Sequence, residues 1–444
     1  MIPHDALAEA LMEYLPRQRW FGGGAADLRA VEVAEIEVIR KEWPALVRVA
    51  ADVETATGPA RYQVLLGLRP PGSREPFLEG KPEAVLGELP SDMGPAFTYD
   101  AAIDPTLAIF LLEHVAPGET AERARLMSGE QSNSSIVYDE RIIMKIFRRL
   151  PPGPNPDAEI TRALASVGFE NVAPPIAEWR GDDTDYAVAN GFLVGAADGF
   201  HLALTSLRDL YDRRCDPVEA GGDFGPEAGR LGDITGRMHV ALAQAFGPLP
   251  ADVGSWLADM QAQLDRVRAA GLPADRISAI YRRVAALDDV GPAIRIHGDY
   301  HLGQVVRTDA GWYVLDFEGE PDRPLEERRR PSSPMRDVAG MLRSFDYAAQ
   351  VALVEWGDEV DAELRSLGRA WQQHNADAFL AGYLGAEGVE TVLPRSDDAR
   401  LLLLAAFELD KAVYEVGYER AHRPDWVEIP LSAVRRILDG VLTP

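Results

Sequence analysis

"RIHGDYHLGQVVRTDAGWYVLDFEGEP", from Arg295 to Pro321, sets two aspartates, Asp299 and Asp316, each beside an apolar run. "QVV" and "WYVLDF" are rich in β-formers, and "RTDAG" between them carries turn residues. The pattern predicts an antiparallel hairpin turning about Asp309-Ala310. In that register Gln304 falls opposite Leu315, and Asp316 comes one step further along. The loop that holds Asp299 enters at the same open end. Two carboxylates and an amide then converge, with His297 and Glu318 in the same cluster. These are hard oxygen ligands and proton acceptors, the donor set that suits Mg²⁺. A blander reading makes both aspartates loop ends that cap backbone groups. The clustering at one hairpin end speaks against it.

The chain around this stretch has 444 residues, enough for two or three domains, and 46% of them are hydrophobic, which excludes wholesale disorder. A formal charge of −26 repels polyphosphate backbones and anionic membranes, so no nucleic-acid or membrane partner is expected. A small anion such as ATP needs only a local positive site. The single cysteine, Cys215, forms no internal disulfide and suits a reducing cytoplasm. The N-terminus lacks the basic and apolar regions of a signal peptide. It reads as a helix capped by Asp5, with Leu7, Leu11, Tyr14 and Leu15 on one face and Pro16 as its stop. The longest apolar run, Leu401–Phe407, is far too short to span a bilayer.

From Val31 to Leu68 the residues alternate with the period of strands, and Gly and Pro dominate Arg69–Pro82. Residues 1–90 therefore read as a β-rich cap subdomain. Residues 91–200 are mixed, with a helix at "PTLAIFLLEHV" and two strands in "IVYDERIIMKIF" about an Asp139-Glu140 turn. Residues 201–444 are mostly helical apart from the hairpin.

The stretch "MSGEQSNSSIVYDERIIMKIF" is a small-polar loop followed by two strands. Backbone and hydroxyl groups at Ser128, Gly129, Ser132, Asn133, Ser134 and Ser135 suit phosphate oxygens. Lys145 sits in the apolar strand "IIMKIF", and Glu159 in the next helix is its candidate partner. Loop, strand lysine and helix glutamate make the nucleotide half of a kinase-like site. No GxGxxG or GxxxxGK[ST] is present, so a polar hairpin with an outward lysine is the competing reading.

A third cluster lies on a helix predicted from Leu401 to about Arg420. Glu408, Lys411, Glu415 and Glu419 share one side, with Asp410 and Tyr414 near it. Without further context this is a surface salt-bridge ladder. Arg336 and Asp337 read as a structural pair, His297 as a brace of its loop, and His301 as either a substrate contact or a loop filler.

"HGDYHLGQ", "VLDFEGEP", "SPMRDVAGMLRSFDYAA", "DKAVYEVGYERAHRPDWVEIPL" and "LPRQRWFGG" together resemble the maltokinase group of sugar kinases. That group belongs to the aminoglycoside-phosphotransferase and choline-kinase-like superfamily. The resemblance spans nearly the whole chain. It implies an α+β, bilobal, eukaryotic-protein-kinase-like fold with an N-terminal cap and a mostly helical C-lobe. It also implies Asp299 as the catalytic base and a contact to the acceptor, and Gln304 and Asp316 as metal ligands. ATP is the implied co-substrate with Mg²⁺, bound through Ser132, Asn133, Ser134, Lys145 and Glu159. At the sugar it implies His301, Asp410, Lys411, Tyr414 and Glu415, with Trp426 stacking on a pyranose face. Many maltokinases carry a basic residue after the aromatic–Gly pair, where this chain reads "RWFGGGAADL".

The expected activity is phosphoryl transfer from ATP to a sugar hydroxyl, in a monomer or weak dimer. Carboxylate-rich surroundings favour glucosamine, phosphorylated at its 6-hydroxyl, because an amino sugar gains from a buried acid. Maltose, phosphorylated at its anomeric hydroxyl, is the alternative. The pattern HxDxH in "HGDYH" also admits a zinc hydrolase, and a non-catalytic binding module on the same fold is a third reading.

Overall fold

The computed structural model describes residues 2–22, 27–127, 132–268, 271–320 and 323–442. The chain divides into two units, Met1–Glu159 with Ala173–Val194, and Ile160–Val172 with Gly195–Pro444.

The first unit begins with α1 (His4–Tyr14), whose Leu7, Leu11 and Tyr14 are buried as their spacing predicts. The helix starts after Pro3 without a side-chain cap. Asp5 therefore lies inside the first turn, where its charge favours the helix dipole instead of closing the end. Five strands follow: β1 (Leu28–Arg40), β2 (Ala45–Thr55), β3 (Gly58–Arg69), β4 (Val85–Ser91) and β5 (Gly94–Asp100). They form an antiparallel sheet in the order β1-β2-β3-β5-β4. α2 (Pro105–Val115) is capped by Asp104, which accepts from the N–H groups of Thr106 and Leu107 at 2.8 and 3.3 Å.

The second sheet contains β6 (Ala124–Leu126), β7 (Asn133–Tyr138), β8 (Ile142–Phe147), β9 (Pro175–Arg180) and β10 (Asp185–Gly191), in the order β6-β7-β8-β10-β9. Asp139 and Glu140 turn β7 into β8 with φ of 49° and 53°. Both values lie in the left-handed region that a two-residue hairpin turn uses. Leu107, Leu111 and Leu112 of α2 share one core with Ile136, Met144 and Ile146. α3 (Pro156–Ser166) begins in this unit, and its residues from Ile160 onward belong to the other.

In the second unit β11 (Ala197–Asp198), β12 (Val305–Thr308) and β13 (Gly311–Val314) form a small antiparallel sheet. The rest is helical: α4 (Gly199–Arg213), α5 (Gly225–Phe246), α6 (Val253–Arg266), α7 (Ala274–Ala285), α8 (Leu325–Arg328), α9 (Met335–Trp356), α10 (Ala362–Gly385), α11 (Asp397–His422) and α12 (Glu428–Leu442). α9 runs through the core, burying Val338, Met341, Phe345 and Ala349 among others. Each large apolar side chain so buried contributes about 1.5–3 kcal/mol. α5 and α10 pack backbone to backbone, and a Cβ on Gly232 would fall 2.0 Å from the Phe379 carbonyl oxygen. Strand-rich and helix-rich units together make the expected α+β architecture. Among the described residues no helix is long and apolar enough to cross a membrane.

Candidate functional site

The Asp299 loop is held by the start of α9. Asp337 accepts from the backbone N–H groups of His297 and Gly298 at 2.8 and 2.9 Å. His239, itself bonded to the Tyr383 hydroxyl, stands 3.2 Å from the same carboxylate. The buried Tyr300 shares a hydrogen bond with Thr235 at 2.8 Å, and its carbonyl packs on Gly340, where a Cβ would fall only 2.5 Å away. His297 Nε2 lies 2.9 Å from the Leu315 carbonyl, so His297 does brace the loop. Its Nδ1 faces the Asp299 N–H at 3.4 Å, so both ring nitrogens face backbone and the zinc reading loses its first ligand. The expected Arg336–Asp337 pair does not form. Neighbours on a helix point about a quarter-turn apart, and here Asp337 turns to the loop backbone while Arg336 turns to Glu320.

The hairpin has the register read from the sequence. Val305 pairs with Val314, and the Leu315 N–H donates to the Gln304 carbonyl at 2.9 Å. Asp316 follows with φ of 60°, a left-handed conformation uncommon for a residue with a side chain. Gln304 Nε2 lies 3.4 Å from Asp316 Oδ2. As placed, the amide N–H donates to the carboxylate at the open end; turned about its terminal bond the amide would present its oxygen beside that carboxylate, a pair that fits a hard divalent cation.

Lys411 of α11 reaches into this loop. Its Nζ donates to Asp299 Oδ1 at 3.1 Å and to Glu320 Oε1 at 2.9 Å. Burial alone would lower the Lys411 ammonium, but Glu320 and Asp299 outweigh it and raise it. Glu320 also meets Arg323 at 2.5 Å and Arg336 at 3.2 Å. Burial would raise its carboxyl, yet Lys411, Arg336 and Arg323 hold it well below the usual range. Asp410, the preceding residue on α11, is buried too and has a different fate. Its carboxylate accepts from Gln263 Nε2 at 3.2 Å, and burial pushes its pKa up to about 6 against the pull of Arg336 and Arg323. Asp299, Glu320, Asp410, Lys411, Gln263 and Tyr414 line one pocket of about 20 Å³, room for roughly one water. Gln263 and Glu320 were not singled out from sequence, and Arg336 only as a partner for Asp337. Glu320 had a signal, being four residues after Asp316 in "LDFEGEP".

The rest of α11 does not act as one face. The helix is longer than predicted, Asp397–His422, and its acids divide between two sides. Glu415 pairs at 2.6 Å with the buried Arg343, which also binds Asp346. Glu419 accepts from the Tyr347 hydroxyl and from Arg423, both at 2.9 Å. Burial pushes Glu408 up to about 7, opposed by Arg343 and Arg436. These three turn to α9 and α12, whereas Asp410, Lys411 and Tyr414 turn to the Asp299 pocket. Trp426 packs between Tyr347, 6.1 Å away, and Arg423, 4.6 Å away. His301 Nδ1 accepts from the Gly303 N–H at 3.1 Å, and its Nε2 stands 3.8 Å from Asp299. It shapes the loop and borders the carboxylate at once.

In the first unit, Lys145 Nζ lies 3.0 Å from Asp157 Oδ2. Sequence reading offered Glu159 for this pair; the ion pair described here is made by Asp157, in the first turn of α3. Asp157 is placed by Asn155, whose side chain accepts from its N–H at 2.9 Å. Asn133 and Ser134 are buried members of β7 rather than loop residues. Ser134 Oγ accepts from Arg148 at 2.9 Å, Arg148 pairs with Asp100 at 2.8 Å, and Tyr14 donates to the same carboxylate at 2.7 Å. Ser132 Oγ accepts from the Asn133 amide at 3.1 Å. Ser128 and Gly129 of the expected phosphate loop, and residues 23–26 after "RWFG", lie outside the described residues. A larger groove of about 1370 Å³ runs along this unit. Within it Arg48 is paired with Glu35 and Glu37, and Arg61 with Asp52.

The chain matches the maltokinase N-terminal cap domain over residues 14–104 and the phosphotransferase enzyme family over residues 130–380. A glucosamine kinase of Streptacidiphilus jiangxiensis is 31% identical over 353 residues, 73% of this chain and 75% of that one. A glucosamine kinase of Mycolicibacterium smegmatis is 28% identical over 341 residues, 72% of this chain and 81% of that one. In structure, the chain superposes on a glucosamine kinase (crystal form B) with a TM-score of 0.68 and 25% identity, covering 97% and 99% of the two chains. A glucosamine kinase in complex with glucosamine, ADP and inorganic phosphate gives a TM-score of 0.64 at 24% identity, covering 99% and 100%. The kinase-like fold is shared across the full length. The chain belongs to the phosphotransferase enzyme family and carries the maltokinase-type N-terminal cap.

Proposed function

We propose that this protein is an ATP- and Mg²⁺-dependent kinase that phosphorylates the 6-hydroxyl of glucosamine, in the cytoplasm where ATP is supplied. The observation that carries the acceptor is Asp410. It is a buried acid lining the Asp299 pocket, with an amide as its hydrogen-bond donor and a pKa raised to about 6. Near neutral pH it is ionised and under-compensated, which suits an ammonium group. A maltose hydroxyl would not repay that burial. Two relatives of 28% and 31% identity that bear the name glucosamine kinase support the same reading.

In this reading the acceptor hydroxyl displaces Lys411 from Asp299, and Lys411 stays on Glu320. Asp299 orients the hydroxyl and takes its proton as the oxygen attacks the γ-phosphorus. The bond from that phosphorus to the β,γ-bridging oxygen breaks, and ADP leaves. Gln304 and Asp316 would hold Mg²⁺, which neutralises charge on the phosphates. Lys145, oriented by Asp157, contacts the α- and β-phosphates. The work is positioning and charge compensation, because the transition state is loose. Side-by-side kinetics on glucosamine and maltose test the proposal. A kcat/KM higher for maltose overturns the acceptor.

A further inference from the structure

The small pocket beside Asp299 has room for about one water, and water is the nucleophile that a kinase must refuse. A water there that attacked the γ-phosphorus would give its proton to Asp299 and break the bond to the β,γ-bridging oxygen. ADP and inorganic phosphate would leave, with no sugar modified. Both oxygens of Asp299 have neighbours that stand in the way. Oδ1 accepts from Lys411 Nζ at 3.1 Å, and Oδ2 stands 3.8 Å from His301 Nε2. Lys411 has a second post at Glu320 Oε1, 2.9 Å away, and lies 5.0 Å from the centre of the Tyr414 ring. Glu320 is buried and tied to Arg323 and Arg336, so this post is anchored independently of the lysine. Glu320 and Asp299 keep the ammonium charged despite its burial. On leaving Asp299 the lysine gives up one charge-assisted hydrogen bond and keeps the other. A sugar can offset that loss. Its ring has an adjoining cavity of about 550 Å³, which shares Gln263, Glu320 and Tyr414 with the pocket, and contacts made there help to drive the lysine off. A water makes no such remote contacts.

We propose that Lys411 is the residue that discriminates sugar from water: it occupies Asp299 until an acceptor displaces it, and so suppresses ATP hydrolysis in the absence of sugar. Its ammonium closes the base, and Glu320 holds it when the hydroxyl arrives. This rests on the reading of Asp299 as the base of a sugar kinase, and it holds for whichever sugar fills the cavity.

The test follows ADP formation from ATP and Mg²⁺ with no sugar present. Lys411→Met keeps the length of the side chain and removes its charge, and it should raise this hydrolysis roughly tenfold. That is less than the full contribution of a general base, because a water is held less well than a sugar hydroxyl. Lys411→Gln, a milder change, should move the rate in the same direction. Asp299→Asn added to Lys411→Met should return hydrolysis to the wild-type level. Glu320→Gln should act differently. The lysine then loses its second post and stays on Asp299, so hydrolysis remains low while KM for glucosamine rises. Loss of a merely structural lysine lowers hydrolysis or leaves it unchanged, and does not raise it. Lys411 variants that bind ATP as the wild type does in calorimetry, yet hydrolyse it no faster, overturn the proposal. So does a rise that survives Asp299→Asn. In both cases a wild type that phosphorylates glucosamine leaves the kinase reading intact. A wild type that transfers phosphate to no sugar overturns that reading as well.

Discussion

The segment that follows the Val305–Val314 hairpin and helix α11 deliver the same kind of side chain to the same pocket and treat it in opposite ways. Glu320, four residues past Asp316, gathers Lys411, Arg323 and Arg336, and its carboxyl is pulled well below the ordinary range despite burial. Asp410 on α11 has Gln263 as donor, and burial wins, at about 6. The contrast separates two uses of a buried acid. A carboxylate compensated by cations is a fixture that positions other groups, here Lys411. One that is left under-compensated stores a cost that a cationic ligand can remove.

That contrast can be broken experimentally. The largest effect belongs to Asp299, where Asp299→Asn should lower kcat by about a thousandfold while ATP affinity is unchanged. Turnover within a few-fold of wild type would take the proton from Asp299. Next, Asp410→Asn should cut kcat/KM for glucosamine by roughly 10–100-fold, the loss of one charged hydrogen bond. In the wild type the same parameter should fall about tenfold per pH unit below roughly 6, as Asp410 protonates and releases the ammonium. A pH profile with the same acid limb in the variant would exclude Asp410.

Stability reads the loop's support and the stored cost separately. Gly340→Ala forces a methyl against the Tyr300 carbonyl and should cost about 1–3 kcal/mol in chemical denaturation, with a parallel drop in kcat. Unchanged stability and rate would show that α9 does not set the loop. Asp410→Asn should do the reverse and stabilise. The native carboxyl titrates above its ordinary 3.8, so its favourable contribution is present below that pH and lost as pH rises through about 6. The variant cannot ionise, so its advantage should be absent near pH 4, open between 4 and 6, and reach about 3 kcal/mol at pH 8. A melting-temperature gap that is flat across this range would refute the under-compensated acid.

The hairpin was legible because its geometry is local. A two-residue turn at Asp309-Ala310 sets which residues face each other, and Gln304 met Leu315 as the pattern required. The Asp139-Glu140 hairpin was legible for the same reason. The acids of α11 were not. Helical spacing places Glu408, Lys411 and Glu415 near one side, but which neighbour each meets depends on α9, distant in sequence, and on how α12 folds back. Arg343 claimed Glu415, Arg423 and Tyr347 claimed Glu419, and Trp426 packed on Tyr347. Asp157 was not paired with Lys145 from sequence because Asp157 and Glu159 both stand in the first turn of α3, and spacing alone does not choose between them.

Sequence by itself determined the α+β class, the hairpin with its register, and the meeting of Gln304 and Asp316, all matters of period and turn chemistry over a few residues. Tertiary structure alone decided the electrostatics. It chose Asp337 to hold the Asp299 loop, put Lys411 between Asp299 and Glu320, and left Asp410 with an amide. A carboxylate's charge state follows from what surrounds it in three dimensions, and its letter in the chain carries none of that.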